Sequence, residues 1–251
     1  MPEPILLASG LTRRFGGLVA VDAVALALAP GAVHCIIGPN GAGKTTLINL
    51  LSGDLAPDAG EIRYAGRDIA GWPTHRIARL GIQRSYQKTN IFPELTVSEN
   101  VWLSAQARFA RQMRFFSPAH RLAGVAERVE ASLERIDLAA RASVPAGILS
   151  HGEQRQLEIG LMLAAEPDLL LLDEPMAGMS ADETSRMVTL LNRLKGAHTL
   201  LLIEHDMDAV FAVADSITVM VNGAVLETGL PETIRRSPRV RSAYLGDGEG
   251  P

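Results

Sequence analysis

The chain has 251 residues, 24 Lys and Arg against 28 Asp and Glu, and 47% hydrophobic residues, enough for one α/β domain or two small ones burying roughly 70 to 75% of the unfolded surface. A formal charge of −4 counts against a binder of nucleic-acid backbones, which carries a basic face and a high pI. The lone cysteine, Cys35, rules out an internal disulfide and fits a reducing compartment. The apolar runs are far shorter than the ~18 residues of a membrane span, and the opening Pro2-Glu3-Pro4 lacks the basic flank of a signal peptide, so a membrane role is expected to pass through a partner.

In chain order, residues 5–35 and 60–69 read as short extended segments broken by Gly16-Gly17, Pro30-Gly31, Asp58-Ala59-Gly60 and Ala65-Gly66, which predicts an antiparallel β layer. Val33 to Ile37, Leu169 to Leu172 and Leu200 to Ile203 are apolar runs that end in Gly38, Asp173 and Glu204-His205. Such runs followed by helical patterns predict buried strands of a mostly parallel sheet. Ligands of these sheets bind beyond the carboxyl ends of the strands, so the residues just after each run are the first candidates for chemistry.

From about 88 to 160 the pattern turns helical. Thr96 and Glu99 form a capping box that starts a helix near Val97, and Val125, Val129, Leu133 and Ile136 recur at helical spacing opposite a charged, solvated face. Met187, Leu190, Leu191 and Leu194 form a further stripe, stopped by Gly196. Asn222-Gly223 between two apolar runs predicts a hairpin.

Gly38-Pro39-Asn40-Gly41-Ala42-Gly43-Lys44-Thr45 fits the phosphate-binding pattern G-x-x-x-x-G-K-[ST], between a strand and the helical pattern of Leu47, Ile48, Leu50 and Leu51. Its glycines let successive N–H groups face phosphate oxygens, and the helix starting near Gly43 adds its positive end. Lys44 would reach the β and γ phosphates and Thr45 would offer its hydroxyl to Mg²⁺. Asp173, desolvated at the end of a buried strand, is a natural Mg²⁺ partner, leaving Glu174 to polarise the attacking water. Ser150 and Glu153 form a second capping box, at a helix N-terminus that favours an anion.

Together these segments resemble the ATP-binding subunit of ABC transporters over essentially the whole chain. The resemblance implies a single domain, 1–251. Its expected fold is α/β, with a RecA-like, mostly parallel P-loop core and an antiparallel β layer (1–87 and 161–251) and an inserted helical subdomain (88–160). It places Phe15 as the adenine platform with Val21 beside it, and adds Thr46 to the loop residues that hold ATP. It makes Gln87 a contact to metal and water, His205 a contact to the γ-phosphate, and Leu149-Ser150-His151-Gly152-Glu153 the signature sequence that meets ATP held by the other subunit of a dimer. His151 and Glu153 replace the usual glycine and glutamine, and Ser180 stands where an aspartate is common. Glu153 is accounted for by the capping box, and His151 reads as a packing or hydrogen-bonding variant rather than a pH sensor.

Within the superfamily, Arg84 to Gln87, Ile91 to Asn100, Glu204 to Met207 and Val240 to Gly246 look most like the branched-chain amino-acid importer type. Subunits for urea uptake and lipopolysaccharide export share parts of this pattern and remain alternatives. Phe115-Phe116, in the Arg- and Phe-rich stretch 108–120, is expected to fill a local core. The resemblance further implies permease subunits and a second ATP-binding subunit as direct partners, with a periplasmic solute-binding protein acting indirectly. The expected site of action is the cytoplasmic face of a bacterial inner membrane. A soluble ABC-type ATPase working on DNA or ribosomes is the competing class; the acidic charge and the short helical insertion count against it. A P-loop kinase would leave Ser150 to Gly152 and His205 unexplained.

Overall fold

The computed structural model describes residues 3–86, 90–107 and 124–245. Strands β1 (Leu6–Phe15) and β2 (Leu18–Leu28) pair antiparallel across Gly16-Gly17. The fully buried β3 (Val33–Ile37) leads into α1 (Lys44–Ser52). Then come β4 (Ala59–Tyr64), β5 (Arg67–Asp68), α2 (Thr74–Leu80) and β6 (Ile82–Arg84). Helices α3 (Val97–Ala107), α4 (Val125–Arg135) and α5 (His151–Leu163) precede β7 (Leu169–Asp173), α6 (Ala181–Leu194), β8 (Thr199–Ile203) and α7 (Met207–Val213). The hairpin β9 (Ser216–Val221) and β10 (Ala224–Gly229) is followed by α8 (Pro231–Arg236) and α9 (Pro238–Leu245).

Two sheets result: an antiparallel one in the order β2-β1-β4-β5, and a six-stranded one in the order β10-β9-β3-β8-β7-β6, parallel except for the β9–β10 hairpin. The central strands β3, β7 and β8 are almost wholly apolar because both faces are covered, the exceptions being Thr199 at the start of β8, Asp173 at the end of β7 and His34 in β3, which is satisfied by Thr218 at 2.8 Å and Ser216 at 2.7 Å. Cys35, Ile37, Leu170, Leu172, Leu200 and Leu202 enter the core shared with α3 to α7, while Ile36, Leu169, Leu171, Leu201 and Ile203 enter the core beneath α1 and the antiparallel sheet. Cys35 is a free, buried thiol, raised well above its ordinary pKa by that burial.

Local signals hold where they have a geometric cause. Thr96 and Glu99 exchange the bonds of the capping box, with Thr96 N donating to Glu99 Oε2 at 2.8 Å and Glu99 N to Thr96 Oγ1 at 3.2 Å. Asn222 and Gly223 take φ of 48° and 82° and close the hairpin. Two boundaries shift. Val33 to Cys35 belong to the parallel sheet rather than the antiparallel layer, because β3 pairs with β8 and β9. Ala59-Gly60 opens β4 instead of turning, and a Cβ on Gly60 would stand 2.5 Å from the carbonyl oxygen of Gly10, so glycine lets the strands approach there. Phe115 and Phe116 lie outside the described residues. No helix among the described residues is long and apolar enough to cross a membrane.

Candidate functional site

The sheet order puts the carboxyl ends of β3, β8, β7 and β6 side by side, so four loops that are distant in sequence converge on one edge. The first is Gly38 to Thr45, where the chain passes from a fully buried strand into α1. A Cβ on Gly38 would lie 2.1 Å from Met220 O and one on Gly43, at φ 94°, 2.2 Å from Ala20 O. Neighbouring backbone therefore fills the space a side chain would need. Gly41, also at positive φ (79°), faces open space. Asn40 and Thr45 are exposed, Pro39 and Thr46 partly so, and Ala42 packs inward. Lys44 folds back over its own loop, its Nζ donating to Gly38 O at 2.7 Å and Pro39 O at 3.0 Å. Burial lowers its pKa, opposed by the nearby charges of Glu174 and Asp173.

Asp173 is almost wholly buried, and neither of its carboxylate oxygens accepts a hydrogen bond. Its nearest cation is Arg84, whose Nη2 stands 3.5 Å from Oδ2 while Nη1 bonds Asp54 at 2.6 Å. Burial raises the pKa of Asp173, partly offset by Arg84 and reinforced by Glu174. The Asp173 backbone N–H is held by Ser85 Oγ at 3.1 Å. Glu174 follows at φ 51°, a left-handed conformation unusual for a side-chain-bearing residue. Its N–H donates to Ile203 O at 2.9 Å, tying this turn to the end of β8. Strain of this kind is retained where neighbours overdetermine it.

At the end of β8, Glu204 is buried and accepts from Met176 N at 2.9 Å and His205 N at 3.1 Å, so one carboxylate fixes both the loop after Pro175 and the backbone of His205. Desolvation raises its pKa against those two bonds. The His205 ring is exposed, with Nδ1 3.8 Å from Glu204. Phe15 ends β1 with 45% of its surface open and the Arg13 guanidinium 5.0 Å from its ring centre. Val21, expected beside it, has no exposed surface and packs into the inner core instead; a break in the alternation at Asp22-Ala23, where Ala23 takes φ 47° and the register with β1 shifts, turns Val21 inward along with Val24. Gln87 lies outside the described residues.

The Ser150 segment stands apart from this edge: among the described residues no hydrogen bond or ion pair joins it to Gly38 to Thr45. Ser150 caps α5 in a full capping box with Glu153, which also meets Arg141 at 3.4 Å. His151 is exposed, its Cε1 3.6 Å from where a Gly178 Cβ would sit. Ser180 caps α6 through a matching box with Glu183. The sequence pattern by itself assigns no role to Arg84, Ser85, Glu204 or Glu183. Glu204 carries a signal as a carboxylate ending an apolar strand and Glu183 as the last residue of the capping-box spacing that starts at Ser180, while Arg84 and Ser85 carry none.

A glycine-lined turn from a buried strand into a helix, a lysine at that helix's first position and an acidic pair two strands away, the first of the two buried, define a P-loop nucleoside triphosphatase. The ABC transporter family model matches residues 21–177, and that for the branched-chain amino acid ATP-binding cassette transporter matches 224–250. The high-affinity branched-chain amino acid transport ATP-binding protein BraF of Pseudomonas aeruginosa is 44% identical over 98% of this chain and its own full length. LivG of Escherichia coli K12, of the same description, is 42% identical with the same coverage. A nucleotide-free ATP-binding cassette from an ABC transporter superposes with a TM-score of 0.84 at 28% identity, covering 97% of this chain and 100% of that one. The ADP conformation of another such cassette gives 0.84 at 29%, covering 98% and 100%. The chain belongs to the ATP-binding subunits of ABC transporters, and is an ATPase.

Proposed function

We propose that this subunit drives a bacterial importer of branched-chain amino acids or related small polar solutes from the cytoplasmic face of the inner membrane. In this reading it works beneath permease subunits and beside a second ATP-binding subunit, with a periplasmic solute-binding protein upstream. The names of BraF and LivG support the substrate class. The helical segment 88–160 would be the part that faces the permease, and 1–87 with 161–251 the nucleotide-binding core.

The observation that carries the chemistry is the buried Asp173 carboxylate, neither of whose oxygens accepts a hydrogen bond and whose nearest cation, Arg84, stands 3.5 Å away. Such a group fits a hard cation that takes oxygen ligands, and Mg²⁺ held by Asp173, Thr45 and Gln87 would neutralise charge on the β- and γ-phosphates. The backbone N–H groups of Gly38 to Thr46 cradle the phosphates. Lys44 exchanges its two carbonyl partners for phosphate oxygens, and Phe15 stacks on the base. Glu174, fixed at the end of β7 by its bond to Ile203, orients the attacking water. His205, held by Glu204, offsets charge on the γ-phosphoryl. Ser150, His151, Gly152 and Glu153 complete the site from the partner, so ATP binding closes two subunits and hydrolysis releases them.

Glu174→Gln tests this reading. It should retain ATP binding, lose turnover and accumulate closed dimers in sedimentation with Mg-ATP. Hydrolysis at the native rate would reject it.

A further inference from the structure

The donors at the start of α5 are already taken. Glu183 Oε1, reaching from the first turn of α6, accepts from Ser150 Oγ at 3.1 Å and from Gly152 N at 3.0 Å. Its other oxygen, Oε2, accepts from Ser180 N at 3.1 Å and Ser180 Oγ at 2.9 Å. The carboxylate lies as close to the helix start as glycine permits, since a Cβ on Gly152 would stand 2.8 Å from both Cγ and Oε1. One anionic oxygen on a hydroxyl and an N–H at a helix N-terminus is the arrangement a phosphate oxygen would take there.

We propose that Glu183 is a positioning residue of the composite ATP site, a placeholder that holds Ser150 and Gly152 in order and that the partner-bound γ-phosphate must displace when two subunits close. This rests on the reading of the Ser150 segment as the part that meets the partner's ATP. The two oxygens divide the work. Oε2 keeps α6 capped through Ser180, while rotation of the carboxylate frees Oε1 from Ser150 and Gly152 without unwinding either helix. The four hydrogen bonds hold the Glu183 pKa down to about 2, so the group stays ionised through the physiological range and leaves by competition rather than by protonation. Its negative charge then faces the incoming phosphate, weakening closure and favouring reopening after hydrolysis.

Ser180 gains a meaning from this. In place of the aspartate common at that position, a neutral hydroxyl caps α6 and donates to Glu183, which a second carboxylate would repel.

The test uses the full-length Glu174→Gln chain, its Mg-ATP-dependent dimer constant measured by sedimentation equilibrium, with Glu183→Gln and Glu183→Ala added separately. A neutral amide keeps the size and loses the charge; alanine leaves the donors free. Dimerisation should tighten about tenfold in Glu183→Gln and at least as much in Glu183→Ala, with each variant's melting temperature recorded. A merely structural cap predicts the opposite direction. Unchanged or weaker dimerisation in both variants would overturn the placeholder role. Absence of an ATP-dependent dimer in the Glu174→Gln parent would instead overturn the face-to-face reading, and this proposal with it.

Discussion

Replacing Arg84 by methionine isolates the electrostatic balance under the site. The Arg84 side chain is 7% exposed, lies with its guanidinium 4.9 Å from the Tyr86 ring centre, and stands between Asp54 and the fully buried Asp173 carboxylate. Methionine fills most of the volume but leaves the Asp173 charge without its nearest counter-ion. Removing one partner of a buried pair costs about 3 to 5 kcal/mol, which for a chain of this size corresponds to a drop of about 6 to 20 °C in melting temperature.

The loss has a pH signature. Burial already raises the Asp173 pKa above its unfolded value, and loss of Arg84 raises it further. The folded state then binds the proton more tightly than the unfolded state. Stability is therefore greatest below the unfolded pKa and falls as pH rises until it passes the folded pKa. The Arg84→Met defect should be largest near pH 8 and shrink on acidification, by up to about 1.4 kcal/mol per pH unit once Asp173 protonates. Urea titrations at pH 8 and 6, without nucleotide and with chelator present, measure it, and Arg84→Met with Asp173→Asn should recover most of the loss. A defect below about 1 kcal/mol, the same at both pH values and unrelieved by Asp173→Asn, would refute the assignment of a buried charge held by Arg84.

Phe15→Ala should weaken nucleotide binding by about 1 to 2 kcal/mol, roughly 5- to 30-fold in Kd, by equilibrium titration, with little change in melting temperature. Gly43→Ala should lose nucleotide binding and at least about 2 kcal/mol of stability, since its Cβ meets the Ala20 carbonyl at 2.2 Å. Gly41→Ala, strained but facing open space, should cost only about 1 kcal/mol by the same denaturation curve. The stability that Glu183 adds over Glu183→Gln should be present above about pH 4.5 and vanish as pH falls through about 2, because its folded pKa is depressed. A gap that stays constant across that acid limb would contradict the hydrogen bonds assigned to it.

Much of this molecule is written locally. The turn at Gly38 to Thr45, the capping boxes at Thr96, Ser150 and Ser180, the Asn222-Gly223 hairpin and the doubly buried strands follow from φ preferences, side-chain reach and apolar periodicity. These act over a few residues and survive in one dimension. Gly38 to Thr45, Asp173, Glu174 and Ser150 are legible for the same reason, each ending an apolar run or starting a helix, whereas Phe15 and Gln87 are marked only by resemblance to a family.

Tertiary structure decided what those residues touch. Strand order alone brings Arg84 of β6 to Asp173 of β7, and the end of β8 to the loop after Pro175 through Glu204. Facing direction along β2 turned Val21 from a site residue into core. The carboxylate of Glu183, on its own helix only a cap, reaches the donors of α5 because α6 packs against it, 31 residues from Gly152 in sequence. Contacts across such separations depend on packing geometry, and no local pattern encodes them.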